Sequence, residues 1–327
     1  MNGPIEAGAT CFGKIPARGD FVKGAGHSPL IGLLDTWVSR AMAQLSEDPR
    51  WKITYDNAAA FDFAFVGARS RVSIVGHLRP STDSAGRRFP FITAATIERD
   101  DTLLFRCGPA ALGPAYASLA QVAEIATGGA DVPTVQAALD RLHCAADFDA
   151  AIQTDPLGGF VRRTTLGGLA EMLGAVDPEV VARIVLAIGL LLRPVVGQQT
   201  VRIDKDLRMP LPAGDEHARA VAGLWLYLVS AFLRRTDIEL QIVIERRAGR
   251  PQLIIGFNGA APETLRVAWS PDEASAHLID LRDPAWIDSQ PALTDDYGVA
   301  KLAAYLAQPG ITLELAINTF REVFLGE

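Results

Sequence analysis

A chain of 327 residues, 49% hydrophobic and 21% charged, holds enough apolar material for a well-buried core and is unlike a disordered polypeptide. Its net charge of -7 leaves neither half basic, so it lacks the cationic lobe that a nucleic-acid reader presents, and no nucleic-acid partner is expected. Three widely spaced cysteines, Cys11, Cys107 and Cys144, form no CxxC pair and fit a reduced, cytoplasmic setting, and the opening MNGPIEAGATCFG has neither the basic nor the apolar part of a secretory signal.

The length predicts two domains, with a composition break at QTDPLGG that divides the chain into residues 1–152 and 153–327. After a Gly- and Pro-containing opening loop, SPLIGLLDTWVSRAMAQL places Leu30, Leu33, Leu34, Trp37, Val38, Ala41 and Leu45 at helical spacing behind an N-cap Ser28 and Pro29. AFDFAFVG (60–67) and RVSIVGHLRP (71–80) are runs of strand type that pair, and FITAATIE following residue 90 is a third strand. Two or three helices follow, over roughly Pro114–Ala126 and Val132–Ala151, with Gly128-Gly129 supplying the break between them.

In the second half, helices are expected at Leu166–Leu173, Glu179–Leu192 and Glu216–Arg235. IELQIVIER (238–246) and PQLIIGFNG (251–259) form a hairpin across Arg247–Arg250, with shorter strands at Leu265–Trp269 and Ala276–Leu281 and a helical end. The runs IVLAIGLLL and AVAGLWLYLVSAFL fall short of the roughly 20 apolar residues that span a bilayer, so no transmembrane segment is expected. The second run, with Trp225, Tyr227 and Phe232, is either an interface with a partner or within an oligomer, a homo-oligomer included, or the core helix of its domain, and its continuous apolar surface favours the core. The pattern as a whole is α/β: a layered sandwich with a mixed, largely antiparallel sheet flanked by helices, plus a second α/β or α+β domain.

Catalytic chemistry finds few players. The five histidines never fall at i,i+4 or in HExxH spacing, so no metal site is expected. There is no GxSxG elbow, and Gly13-Lys14 lacks both the upstream glycine and the following hydroxyl of a phosphate loop, so no cofactor is assigned. In FGKIPARGDFV, the Arg18-Gly19-Asp20 tripeptide is best explained as a turn: Gly19 admits a positive φ, Asp20 bonds turn amides, and Phe21 staples the loop to the core. PSTDSAGRRFPF has the same grammar of turn formers, one acid, paired arginines and an aromatic-proline anchor. If the loops meet, Arg18 or Arg87 can pair with Asp83 or Asp20 in a bidentate fork.

These two loops, with the Trp37 helix between them, resemble the N-terminal domain of the TagF/ImpM proteins associated with type VI secretion. The likeness covers roughly residues 9–140. Its motif residues are Gly13, Lys14, Pro16, Arg18, Gly19, Asp20 and Phe21 in the first loop and Pro80, Ser81, Asp83, Gly86, Arg87, Phe89 and Pro90 in the second. The resemblance implies a non-enzymatic, cytoplasmic accessory protein that represses secretion after translation by binding a forkhead-associated-domain component. Arg18, Asp20, Ser81, Asp83, Arg87 and Arg88 are the candidates for binding that partner or organising the loops. The alternative is a small-ligand or nucleotide-binding domain, or an enzyme, using Arg18, Asp20, Asp83, Arg87 and Arg88 in a cleft.

Overall fold

The computed structural model describes residues 8–25, 28–99, 102–198, 200–245, 251–270 and 276–327. The family-like half supplies β1 (Thr10–Gly13), β2 (Val22–Lys23), α1 (Ser28–Leu45), α2 (Trp51–Asp56), β3 (Phe61–Gly67), β4 (Val72–Arg79) and β5 (Phe91–Glu98). Helices α3 (Leu103–Ala111), α4 (Gly113–Thr127), α5 (Val132–Leu139) and α6 (Cys144–Ile152) complete it. Then come α7 (Pro156–Arg163), α8 (Leu166–Met172), α9 (Val180–Leu192), β6 (Asp206–Pro210), α10 (Asp215–Leu233), β7 (Glu239–Glu245) and β8 (Gln252–Gly256). The chain ends with α11 (Pro262–Trp269), β9 (Leu278–Asp280), α12 (Ala292–Asp295), α13 (Tyr297–Leu306) and α14 (Leu313–Leu325).

All nine strands join one sheet in the order β2-β1-β5-β4-β3-β7-β8-β6-β9, antiparallel except for the β6–β9 pair. The fold is thus an α/β sandwich around a mixed, largely antiparallel sheet, as the pattern predicts. The sheet runs unbroken from one half of the chain to the other, because β3 pairs with β7 over seven residues, from Phe61 opposite Glu245 to Gly67 opposite Glu239.

Alternation along β3 explains the two faces of the sheet. Phe61, Phe63 and Phe65 point to a thin layer made by α1, α2 and α11, while Ala64 and Val66 point to a thick helical layer containing α3, α4 and α10. Trp37 of α1 sits fully buried with its ring 5.0 Å from both Phe63 and Phe65. Gly76, opposite Phe63 on β4, makes room for that ring, which any Cβ there would overlap. Trp225 and Phe232 of α10 are equally buried, the former donating its indole N–H to the Pro210 carbonyl at 2.9 Å, so this helix is a core helix.

One expectation needs correction. Leu265–Trp269 is the end of α11 and not a strand: Pro262 opens the helix and Glu263 sits in its first turn, signals that outweigh a five-residue apolar run whose periodicity is ambiguous. Of the two or three helices expected over 114–151 there are three, α4, α5 and α6, the last two separated at residues 140–143. β7 and β8 do pair, while Arg247–Arg250, expected to link them, and Arg246 lie outside the described residues. Ser28 is the first residue of α1, and residue 27 before it lies outside the described residues.

Candidate functional site

The topology brings the two motif loops together. β1 ends at Gly13, directly opposite Phe91 at the start of β5, so the loop leaving β1 and the loop entering β5 emerge from the same end of neighbouring antiparallel strands. Gly13 permits the close approach: its φ is +133°, and a Cβ there would overlap the Pro90 carbonyl oxygen. Gly86, at φ +75°, closes the turn of the second loop, where its N–H donates to the Asp83 carbonyl at 2.9 Å.

Asp83 is the hub. Its side chain is buried, and Oδ1 accepts from the backbone N–H groups of Ala85 (3.0 Å) and Arg87 (2.9 Å). Oδ2 accepts from Lys14 Nζ at 2.9 Å and Arg87 Nε at 2.7 Å. Lys14, with other contributions from Arg87 and the turn amides, holds this carboxyl well below the usual carboxylate range despite its burial. Arg87 continues across the gap, donating from Nη2 to the Gly19 carbonyl at 2.6 Å, and Ser84 N–H donates to the Arg18 carbonyl at 3.1 Å. Beneath these bonds Phe12, Phe21 and Phe89 form an aromatic trio with centroids 4.8 to 5.8 Å apart, and Lys14 Nζ lies 5.1 Å from the Phe21 ring.

The second loop is also tied to α2. The Tyr55 hydroxyl accepts from Ser81 N–H at 2.9 Å and donates to the Ser81 carbonyl at 3.0 Å, so Ser81 is held through its main chain. Burial raises the Tyr55 hydroxyl far above its ordinary pKa, which keeps it a donor. Arg88 forms the bidentate fork of the site with Asp56, Nε to Oδ1 at 2.7 Å and Nη2 to Oδ2 at 2.6 Å.

The predicted residues therefore divide. Ser81, Asp83, Arg87 and Arg88 are engaged in bracing the loops, with Gly13, Gly19, Phe21, Pro80, Gly86, Phe89 and Pro90 around them. Trp37 belongs to the core behind. Arg18 and Asp20 do not brace anything: both are exposed, and neither side chain has a hydrogen bond or ion pair among the described residues. Gly19 does not use a positive φ either, because the main-chain carbonyls of Arg18 and Gly19, and not a left-handed residue, tie this turn down. Arg87 does pair with Asp83, through one nitrogen and one oxygen. Sequence reasoning missed Lys14 as the buried counter-ion, although a lone lysine next to a buried apolar residue, Ile15, was a usable signal. Asp56 and Tyr55 carried no such mark.

The outward surface of the corner is the exposed turn Pro16–Asp20, with Phe21 at 41% exposure and the exposed Arg87 beside it. Over residues 10–142 the chain matches the family described as TagF N-terminal domain, type VI secretion system-associated. The chain carries a TagF N-terminal domain. Both braced loops, α1 and β1 through β5 lie inside the matched stretch. Among solved structures, the chain is similar to PA0076 from Pseudomonas aeruginosa PAO1, with 18% identity, 44% of this chain and 78% of that one covered, and a TM-score of 0.34. No curated protein matches it. Among the described residues no helix is long and apolar enough to cross a membrane.

Proposed function

We propose that this protein is a regulatory accessory of the type VI secretion system, cytoplasmic and without a catalytic step of its own, that represses secretion by binding a forkhead-associated-domain component of the same system. The observation that carries this reading is the division of labour within the TagF signature. Lys14, Asp83 and Arg87 are consumed in fixing two loops to each other, and the exposed Arg18 and Asp20 stand unpaired among the described residues on the surface those bonds hold in place. A rigid, prearranged surface loses little conformational entropy on binding, which is what a recognition surface needs and a turn with no further role does not.

The test is co-purification of the forkhead-associated component with the wild-type chain and with an Arg18→Glu, Asp20→Lys double variant, alongside effector release from cells expressing each. The expected outcome is capture by the wild type, loss of capture by the variant, and release of the repression. Failure of the wild-type chain to capture the component, with effector release unchanged on deletion of the gene, would overturn the proposal.

A further inference from the structure

A cavity of about 690 Å³ lies where the start of α4 meets α7, α8 and the first turns of α10. Gly113 comes from the TagF domain, while Gly159, Phe160, Arg163, His217 and Arg219 come from beyond it. The volume is in the range that holds a small molecule.

Its charge is unbalanced. Asp155 is the only carboxylate among the described lining residues, and both its oxygens are engaged: Oδ1 caps α7 through Gly158 N–H at 3.1 Å, and Oδ2 accepts from Arg162 at 2.8 Å. Arg163, exposed, has no acceptor among the described residues. Arg219 reaches Asp62 of β3 only at 4.0 Å, and its Nε is buried without a partner. Asp62 is itself fully buried, and its Oδ1 is hydrogen-bonded to His77 Nδ1 at 2.8 Å. The hydroxyl of Tyr116 is likewise buried and unbonded, and burial raises it well above its ordinary pKa.

The backbone is shaped around these guanidinium groups. A Cβ on Gly113 would lie 3.3 Å from Arg219 Cδ, and one on Gly159 would lie 3.2 Å from Arg163 Nη1, tighter than ordinary contact in both cases. The Phe160 and His217 rings, carried by the same two helices as the arginines, also line the cavity, with centroids 6.3 Å apart. Buried donors without acceptors are uncommon in folded proteins, and a pair of guanidinium forks matches the oxygens of a phosphoryl dianion better than those of a single carboxylate.

We propose that this cavity binds a phosphorylated small molecule, its phosphoryl group seated by Arg163 and Arg219 and its body resting on the Phe160 and His217 rings. Such a ligand would bridge the TagF domain and the remainder of the chain, since Gly113 and Arg219 stand on the two sides of its seat.

The experiment uses the full chain and inorganic phosphate as probe, followed by AMP, with sodium chloride matched for ionic strength. Thermal unfolding and isothermal titration are read for the wild type, for Arg163→Glu, and for Arg202→Glu, which makes the same charge change at an exposed arginine away from the cavity. Phosphate is expected to raise the unfolding midpoint above the chloride control and AMP to bind more tightly than phosphate. Arg163→Glu should weaken both by roughly tenfold or more while Arg202→Glu leaves them unchanged. Because Arg163 is exposed and unpaired, the variant is expected to keep its fold, which circular dichroism checks. Stabilisation by phosphate no greater than by chloride, or equal binding by Arg163→Glu and wild type, overturns the proposal; phosphate binding with no gain for AMP overturns the role of the rings.

Discussion

The signature corner and the α7–α10 cavity use charge in opposite ways. At the corner, one carboxylate receives four donors and two cations, and every buried charge ends in a bond that fixes a loop. In the cavity lining, Arg163 has no acceptor among the described residues, Arg219 meets Asp62 only at 4.0 Å, and both oxygens of Asp155 are engaged. Charges already satisfied position the backbone, whereas unsatisfied ones are available to a ligand. Motif residues in this chain are therefore mostly architecture, and the residues with bonding capacity to spare include several outside any motif.

The hardest test of that contrast is Asp83→Asn. The amide keeps the shape of the side chain but leaves Lys14 Nζ, buried and with 10% of its side chain exposed, without its counter-ion, and its single carbonyl oxygen cannot accept from both the turn amides and the Lys14 and Arg87 side chains. Loss of one partner of a buried pair costs far more than the pair contributes, because the remaining charge stays desolvated. A large fall in the unfolding midpoint is expected, and adding Lys14→Met to Asp83→Asn should recover part of it. No recovery in the double variant would mean that the turn bonds of Asp83, and not the buried lysine, carry the effect.

Two buried acids sharpen the comparison through pH. The Asp83 carboxyl is depressed, so the stability it contributes is fully present above the unfolded value near 3.9 and is lost as pH falls through its lower folded value. Asp206, on β6 near the opposite edge of the sheet, goes the other way: burial raises it to about 7, partly offset by the Thr264 hydroxyl. Here the neutral acid is favoured in the fold. Its contribution is full below about 3.9 and is lost as pH rises through about 7, at a slope of at most about 1.4 kcal/mol per pH unit. Denaturant titrations of the wild type and Asp206→Asn between pH 4 and 8 should show stability falling with pH in the first and a flatter profile in the second; parallel profiles would exclude this role for Asp206.

Much of the fold was legible where the pattern was long or doubled. The α1 periodicity through Trp37 and the pairing of β3, β4 and β5 followed from local spacing and alternation. Short elements hid: β1 and β6 are four and five residues long, and β1 lies within a motif whose glycines and proline look like loop. The continuity of the sheet depends on β3 meeting β7, a pairing nearly 180 residues apart that no local signal encodes. At the site, the turn chemistry of Asp83 was readable from its neighbours. Its lysine, 69 positions away, was not, and neither was the cavity, whose walls are drawn from five helices and their connections.

The smallest expected effect separates recognition from architecture. Arg18 and Asp20 sit in the middle of the most distinctive tripeptide of the chain, yet their side chains hold nothing among the described residues. If the loops are braced as described, the Arg18→Glu, Asp20→Lys variant keeps the carbonyl bonds from Ser84 N–H and Arg87 Nη2, because these involve main-chain oxygens that the substitutions leave in place. Exchanging two exposed charges of opposite sign preserves the local net charge as well. The unfolding midpoint should stay within about 2 °C of the wild type, as for surface substitutions in general. A fall comparable to that of Asp83→Asn would place these side chains in the brace and remove the reason to regard them as a recognition surface.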